Sequence, residues 1–323
     1  MRFAAIAAFM VAGPVAASPA QDAMFARLRG LDRRVAVVAE RLLIANATLC
    51  RRTQPAFGMV LHAIDQYPPA MRARARAAFG FVAPVAVEAV VPGAAAERGG
   101  ARDDDGVVAI AGVPVAVESG TAVGTRTRDA VLDRLANVPP GAPIVLTLLR
   151  DGIAREVRLV PPAACAARVE LSTDRGTNAV ADEATILVGS DLVERIADDG
   201  LAVVLAHELA HVVLGHRRRL AAAGVRRGVG GAFGRSRRLT RATEDEADRM
   251  SAYLLANAGY DAGMAAAFWR TAGAGLAGSF RSRTHGAASA RAQLLAEEAA
   301  VIAVMPGRPV RPALLGRRDV PLR

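Results

Sequence analysis

Lysine is absent from this 323-residue chain, cysteine occurs only twice, and aromatic residues make up 4% of it. Every basic side chain other than histidine is therefore arginine, and the formal net charge is +10. A basic chain favours nucleic-acid binding, but no stretch here interleaves aromatic residues with the arginines. We therefore predict no nucleic-acid partner. The absence of lysine also indicates a compositional bias, which weakens arginine clusters as signs of function.

Long apolar runs are missing beyond the first twenty residues, so no transmembrane helix is predicted in the mature chain. Residues 1–20 begin with Arg2, continue with a short apolar run and offer cleavage sites among small residues near Ala17 or Ala20. This order is typical of a signal peptide, with a buried first helix or a membrane anchor as the alternative. We expect secretion across the inner membrane into the periplasm.

The two cysteines, Cys50 and Cys165, form an even set, which in an oxidising compartment indicates a disulfide. Two separate buried thiols are the alternative. A bridge would join chain that precedes residues 84–162 to chain that follows them. Such a bridge would favour an inserted domain.

Changes in the spacing of apolar residues divide the remaining chain into segments with different predicted structure. Residues 21–83 begin with apolar pairs at helical spacing, which predicts an N-terminal helical segment of the main domain. Residues 84–162 contain β-branched runs broken by Gly, Pro and Asp, and they predict a small β-rich domain with one helix. Short strands and then helices are expected over 163–305, and a poorly ordered tail over 306–323. The predicted fold class is α+β, with a mainly helical domain that carries a small sheet.

The stretch VVLAHELAHVVLGH (203–216) contains three of the five histidines. On a helix, His207 and His211 project from one face and can share a metal ion, while Glu208 can reach a water molecule beside it. This H-E-x-x-H pattern supplies two zinc ligands and a general base. Two satisfied core histidines are the alternative, but the apolar flanks predict a buried helix that would leave them stranded.

A catalytic zinc ion needs a third protein ligand. A metzincin-type extension would require glycine at 214 and histidine at 217, where the chain has Leu214 and Arg217. Farther along, ATEDEADRM (242–250) places Glu244 and Asp248 four positions apart on a predicted helix. Taken alone, these carboxylates are either a solvated acidic face or part of a metal site.

H-E-x-x-H followed by E-x-x-A-D resembles the M48 family of zinc metallopeptidases, which are gluzincins. Three further segments are similar to family motifs: TNA (177–179), AGYD (258–261) and RTHGAASAR (283–291). The last departs from the family pattern in having Gly286 where proline is usual. The resemblance covers roughly 165–303 and implies a zincin-type fold.

The resemblance implies the metal site. His207, His211 and Glu244 would be the ligands of one Zn²⁺ per chain, and Glu208 would be the catalytic base. Asp248 would be a carboxylate that orients a ligand histidine.

The resemblance also implies residues around that site. His285 and Arg291 would lie near the open coordination position and act in catalysis. Asn178 and Ala179 would belong to an edge strand on which an extended substrate docks. His62 and His216 fit no role and are expected at the surface or at a helix end.

Residues 84–162 resemble a PDZ domain of the type attached to bacterial periplasmic proteases. The matching features are the turn at Pro92-Gly93, the turn over 110–112 and the closing strands around 150–152. The chain has Gly100-Ala101 and Asp104-Asp105 where such domains usually have Gly-Leu and Gly-Asp. The resemblance implies a bound peptide ligand, with a spacer that binds nothing as the alternative.

The sequence FGF (79–81) is a candidate for the loop whose amides hold a peptide carboxylate. The Arg/Gly-rich stretch 215–238 is either a solvated helix end and loop or an arm toward an anionic membrane surface.

Together these features predict a zinc endopeptidase that cleaves extended or misfolded polypeptides. The alternative is a non-catalytic, PDZ-bearing chaperone or scaffold. A third hypothesis is an envelope-surface binder that acts through its arginines.

Overall fold

The computed structural model describes residues 19–116, 123–173, 178–225, 234–271, 273 and 287–322. The signal-peptide prediction falls almost entirely outside these residues. Helices and strands both contribute substantially, which confirms the mixed α+β class. None of the described helices combines the length and apolar character needed to cross a bilayer.

The helices are α1 Pro19–Ala45, α2 Pro69–Phe79, α3 Ala95–Arg98, α4 Arg126–Ala136, α5 Ser190–Arg195, α6 Asp198–Val213, α7 His216–Ala222, α8 Gly234–Asn257, α9 Met264–Arg270 and α10 Ala288–Ala303. The strands are β1 Thr53–Pro55, β2 Met59–Ala63, β3 Val85–Val90, β4 Gly106–Ile110, β5 Val113–Pro114, β6 Ile144–Arg150, β7 Ile153–Leu159, β8 Ala163–Cys165, β9 Arg168–Ser172, β10 Ala179–Ala181 and β11 Thr185–Gly189.

Helix α6 is the centre of the larger unit. It packs against α1, α8 and α9, and its residues are buried almost without interruption, as its apolar sequence predicts. Asp198 and Asp199 lie in its first turn, where a negative charge favours the helix N-terminus. The helix therefore carries its histidines into a core.

A three-stranded sheet lies beside α6. Strand β11 pairs in parallel with β9 and antiparallel with β10, so β10 is an edge strand. Strand β10 packs against α6, which brings a sheet edge next to the histidine motif.

The second sheet has the order β2-β3-β4-β6-β7, with β5 paired to β4. Its core includes Leu61 and Ala63 of β2, so the boundary predicted at 83/84 cuts through this sheet and is wrong. The segment 21–83 is not purely helical, because β1 and β2 lie within it. These strands were missed because they are short and are separated by a segment that begins after Pro55 and contains Gly58.

One departure from the PDZ pattern has a structural explanation. Asp104, at a position where glycine is usual, has a left-handed backbone with φ of 68°. Aspartate tolerates this conformation better than most residues, so the turn is kept without glycine. The next residue, Asp105, is buried and makes a two-point ion pair with Arg150 on β6.

The FGF segment does not form a carboxylate-binding loop, which corrects that prediction. Gly80 ends α2 in the left-handed conformation, and its amide donates to the Arg76 carbonyl. The Phe81 amide donates to the same carbonyl, and the rings of Phe79 and Phe81 are buried. These amides are therefore engaged within the chain.

Of the predicted poorly ordered tail, residues 306–322 are described and are ordered, contrary to prediction. They include a 3₁₀ helix over Ala313–Asp319, and Val310 and Leu315 join the main hydrophobic core. Asn257 binds the backbone of Val310 through both its amide group and its carbonyl oxygen. The many Pro and Arg residues concealed the few apolar anchors that hold this segment.

Cys50 and Cys165 form a disulfide, with Cα atoms 5.4 Å apart and a sequence separation of 115. Next to it, β1 pairs with β8. The chain therefore leaves the helical unit and returns to it through one short ladder, which is the geometry of an insertion.

We expect the double variant C50A/C165A to lose about 2–5 kcal/mol of unfolding free energy, because the bridge closes a long loop. Urea unfolding of parent and variant, with and without reductant, measures the loss. Reductant should destabilise the parent and leave the variant unchanged. Equal stability of the two proteins under oxidising conditions would contradict the expected role of the bridge.

Glu40 on α1 faces Gly58, where an added Cβ would lie 2.8 Å from Glu40 Oε1. Burial raises the pKa of Glu40 from 4.5 to about 7, and Arg98 and the Gly58 amide offset only part of that rise. The folded chain thus holds a proton that the unfolded chain releases. Stability should therefore fall as the pH rises from 4.5 through 7.

We expect Glu40→Gln to be more stable than the parent at pH 8, by up to about 3 kcal/mol, and little changed at pH 4.5. Urea unfolding at both pH values gives the difference. The exposed substitution Glu156→Gln is the control and should show no such dependence. A loss of stability at pH 8 in Glu40→Gln would reverse the assigned sign.

Candidate metal centre

Three of the predicted ligands lie together. The Nε2 atoms of His207 and His211 are 3.2 Å apart, and Oε2 of Glu244 lies 3.3 Å from the first and 3.6 Å from the second. Helix α6 supplies both imidazoles from one face, and α8 packs across it to supply the carboxylate. All ligand atoms of this group lie within 4.8 Å of one another.

This group fits a zinc ion. Ligands about 2.0–2.1 Å from a tetrahedral zinc ion are separated by about 3.3 Å, which agrees with the three distances. Two imidazoles and one carboxylate are also a ligand set that catalytic zinc sites use. His207, His211 and Glu244 could therefore hold the metal, with a coordination position left for water or substrate.

His207 is held from its other ring nitrogen. Its Nδ1 lies 2.9 Å from Asp248 Oδ1, and Arg291 Nε donates to the second carboxylate oxygen at 2.7 Å. A carboxylate can only accept here, so Nδ1 carries the proton and Nε2 faces the cluster. The Arg291 guanidinium also lies 3.5 Å from the centroid of the Trp269 ring.

The pKa values of His207 and Asp248 depend strongly on their buried surroundings. Burial lowers the pKa of His207, but hydrogen bonds with Asp248 and Glu244 outweigh it and raise that pKa to about 10. Burial would raise the pKa of Asp248, but Arg291 and His207 lower it to about 2. The same carboxylates that favour a proton on His207 favour a metal cation, and the two compete.

Arg291 does not take the predicted position near the open side of the site. It lies on the Nδ1 side of His207, buried at 4% exposure and paired with Asp248. Its charge offsets that of the buried carboxylate, an arrangement that suits a positioning role behind His207. His285 lies outside the described residues, and its catalytic role stays a prediction.

His216 begins α7, so it lies at a helix end, as one of the two predicted alternatives had it, and not at the surface. It is buried at 1% exposure, and its Nδ1 lies 2.9 Å from Nδ1 of His211. Its Nε2 lies 3.2 Å from Oε2 of Glu246. The position of His216, five residues after His211, was the one sequence signal that could have indicated this contact. The carboxylate of Glu246 is distant in sequence and gives no such signal.

His62 is buried as well, at 2% exposure, among aromatic rings of the second unit. Its Nδ1 lies 3.0 Å from the hydroxyl of Tyr67, and its ring stacks on Phe81. It was wrongly expected at the surface, and it lies apart from the metal cluster.

Glu208 is buried at 5% exposure and lines a cavity of about 190 Å³ beside the cluster. The same cavity is lined by His211, Glu244 and the three residues of β10. A molecule in it would therefore lie between the carboxylate of Glu208 and the edge strand. That position suits a base acting on a water molecule next to the metal.

The predicted substrate strand lies where the cavity opens. Ala179 begins β10, and the exposed Asn178 precedes it and accepts a hydrogen bond from the Gly189 amide through its carbonyl. One edge of β10 pairs with β11, and none of the strands in the described part of the chain pairs with its other edge.

Residues 158–229 match the model of peptidase family M48. The matched range contains the sheet beside α6, both ligand histidines and Glu208. The match supports a peptidase of the metalloprotease type, and it does not reach Glu244 or the residues that follow.

The other comparisons add little. No curated protein matches the sequence significantly. Among solved structures, the chain is similar to "HtrA-type protease AlgW with decapeptide", with 18% identity and a TM-score of 0.27. That similarity covers 34% of this chain and 30% of the other chain, so the chain spans less than a third of that protein.

We expect Asp248→Asn to weaken zinc binding by about 10- to 100-fold, because the neutral amide no longer fixes His207 and leaves Arg291 without its countercharge. Competition with a chromophoric chelator measures the dissociation constant. Glu298→Gln is a matched control, since Glu298 is also largely buried and paired with an arginine, Arg249. Equal zinc affinity in the parent and Asp248→Asn would exclude this orienting role.

Proposed function

We propose that this chain is a zinc-dependent metalloendopeptidase that cleaves extended or misfolded polypeptides of the cell envelope. The observation that carries the proposal is the convergence of His207, His211 and Glu244 at distances that suit zinc, with Glu208 and a sheet edge beside them. The M48 match over 158–229 supports the same reaction class.

Peptide hydrolysis would need a bound zinc ion and several residues of the chain, each with its own role. A bound zinc ion would polarise the scissile carbonyl and acidify a water molecule. Glu208 would accept a proton from the attacking water and return it to the leaving amine. Backbone groups of Ala179–Ala181 would hold the substrate as an added strand beside the cluster. Because the site is buried, only substrate segments that are already extended would reach it.

We also propose that the second sheet, with α4, is a PDZ-like unit that binds an extended peptide. Strand β2 is an edge of that sheet, and it borders a cleft of about 210 Å³ together with α4. Leu61, Leu132 and Leu135 give this cleft an apolar lining. Addition of a strand at such an edge is the way PDZ domains bind peptides.

Location and domain limits form part of the proposal. The Cys50–Cys165 disulfide supports an oxidising compartment such as the periplasm. We place the peptide-binding unit between the two strands of the β1–β8 ladder, and the peptidase unit in α1 and in the chain from Cys165 onward. Contact of the arginine-rich stretch 215–238 with an anionic membrane stays a prediction, and residues 226–233 of that stretch lie outside the described residues.

We expect the purified protein to cleave an unfolded, casein-like substrate, and Glu208→Gln to be slower by about 10²- to 10⁴-fold at matched zinc content. Chelation should abolish the activity of the parent, and added zinc should restore it. The control Glu298→Gln should cleave like the parent.

Each outcome of this experiment would favour a different hypothesis. Cleavage by both parent and Glu208→Gln would indicate a contaminating protease. Cleavage by neither, with zinc bound, would favour the scaffold or a latent enzyme. His285→Ala would then distinguish these two, because only a latent enzyme should gain activity.

A further inference from the structure

His211 is held through a longer chain of contacts than His207. Its Nε2 faces the cluster, and its Nδ1 meets Nδ1 of the buried His216 at 2.9 Å. On the far side of His216, Nε2 lies 3.2 Å from Oε2 of Glu246. The three groups connect α6, α7 and α8 behind the site.

The chemistry of this chain sets the position of each proton. A carboxylate accepts hydrogen bonds, so Nε2 of His216 is the donor to Glu246. The Nδ1 atom of neutral His216 is then an acceptor, and Nδ1 of His211 must donate to it. This tautomer leaves the lone pair of His211 on Nε2, the atom that faces His207 and Glu244.

Two arginines complete the chain. Arg219 Nη1 donates to Oε2 of Glu246 at 2.6 Å, and Arg317 Nη1 donates to Oε1 at 3.1 Å. Two guanidinium groups on one carboxylate keep it ionised and disfavour a third positive charge on His216. Arg219 also donates through Nε to the carbonyl of Val320. The C-terminal segment is thereby attached to the same group.

We propose that His216, Glu246, Arg219 and Arg317 form a positioning chain that fixes the tautomer and orientation of His211 for metal binding. The C-terminal 3₁₀ helix is then part of the support of the metal centre. This inference rests on the metal site of the proposed function, and it assigns a role to the last histidine of an H-E-x-x-H-x-x-x-x-H pattern.

The test compares zinc affinity among variants of the full chain. We expect His216→Leu to weaken zinc binding by about 10- to 100-fold. His216→Gln should recover most of the zinc affinity, because the side-chain carbonyl oxygen of glutamine can accept a hydrogen bond from Nδ1–H of His211. His62→Leu is the matched control: it removes an equally buried histidine from the other unit and should leave zinc affinity unchanged.

A second variant guards against loss of folding. Arg317 is 65% exposed at its side chain, so Arg317→Gln should fold normally and weaken zinc binding by less than tenfold. Long-range ¹⁵N–¹H spectra of the imidazoles add a direct readout, since the chain has only five histidines. We expect a pure Nδ1–H tautomer for His211 in the zinc-free parent and a loss of that purity in zinc-free His216→Leu.

The outcomes separate this inference from the proposed function. Parent and His216→Leu with equal zinc affinity would overturn the positioning chain alone, as would His216→Gln behaving like His216→Leu. Zinc binding by the parent without peptide cleavage would overturn the proposed function and leave the positioning chain supported if the affinities differ. A parent that binds no zinc would overturn both.

Discussion

Two imidazoles and a carboxylate on a buried, apolar helix are costly to desolvate, and the neighbouring helices of the larger unit supply the partners that offset this cost. Every polar atom that α6 brings into the core needs a partner or a metal. Helix α8 crosses α6 to supply carboxylates, and α10 supplies the guanidinium of Arg291 behind them. Without these partners the apolar flanks of α6 could not be buried at this depth.

One helix supplies the carboxylates for both histidines. In the sequence EDEAD of α8, Glu244 faces the cluster, Asp248 binds His207, and Glu246 reaches His216 on another side. Residues two positions apart on a helix project in different directions, so this segment can serve separate partners. Helix α8 therefore contacts the Nδ1 side of His207 directly and the Nδ1 side of His211 through His216.

The part of the site that sequence could predict is the part set by local geometry. The spacing of His207 and His211 places both rings on one helix face, whatever the rest of the fold does. Asp248 was predictable only through its resemblance to a family motif. The His216–Glu246 contact was missed because it joins residues on different helices, and no spacing within one helix encodes it.

The same distinction applies to the fold. Long runs with clear periodicity gave correct helices and strands, including α1, α4 and the strands of residues 85–159. Strand β2 was missed because its place in the sheet depends on pairing with β3 rather than on its own pattern. FGF was misinterpreted because Gly80 ends a helix, and glycine at a helix end and glycine in a binding loop look alike in sequence.

The two units meet through contacts of unequal strength. The disulfide and the β1–β8 ladder fix the crossing points of the chain. Helix α4 meets β9 through partly exposed ion pairs, Arg128 with Glu170 and Arg168 with Asp129, and such pairs contribute at most about 1 kcal/mol each. Residues of both elements line the cleft beside β2, so these ion pairs between the two units border the cleft that we propose as a peptide-binding site.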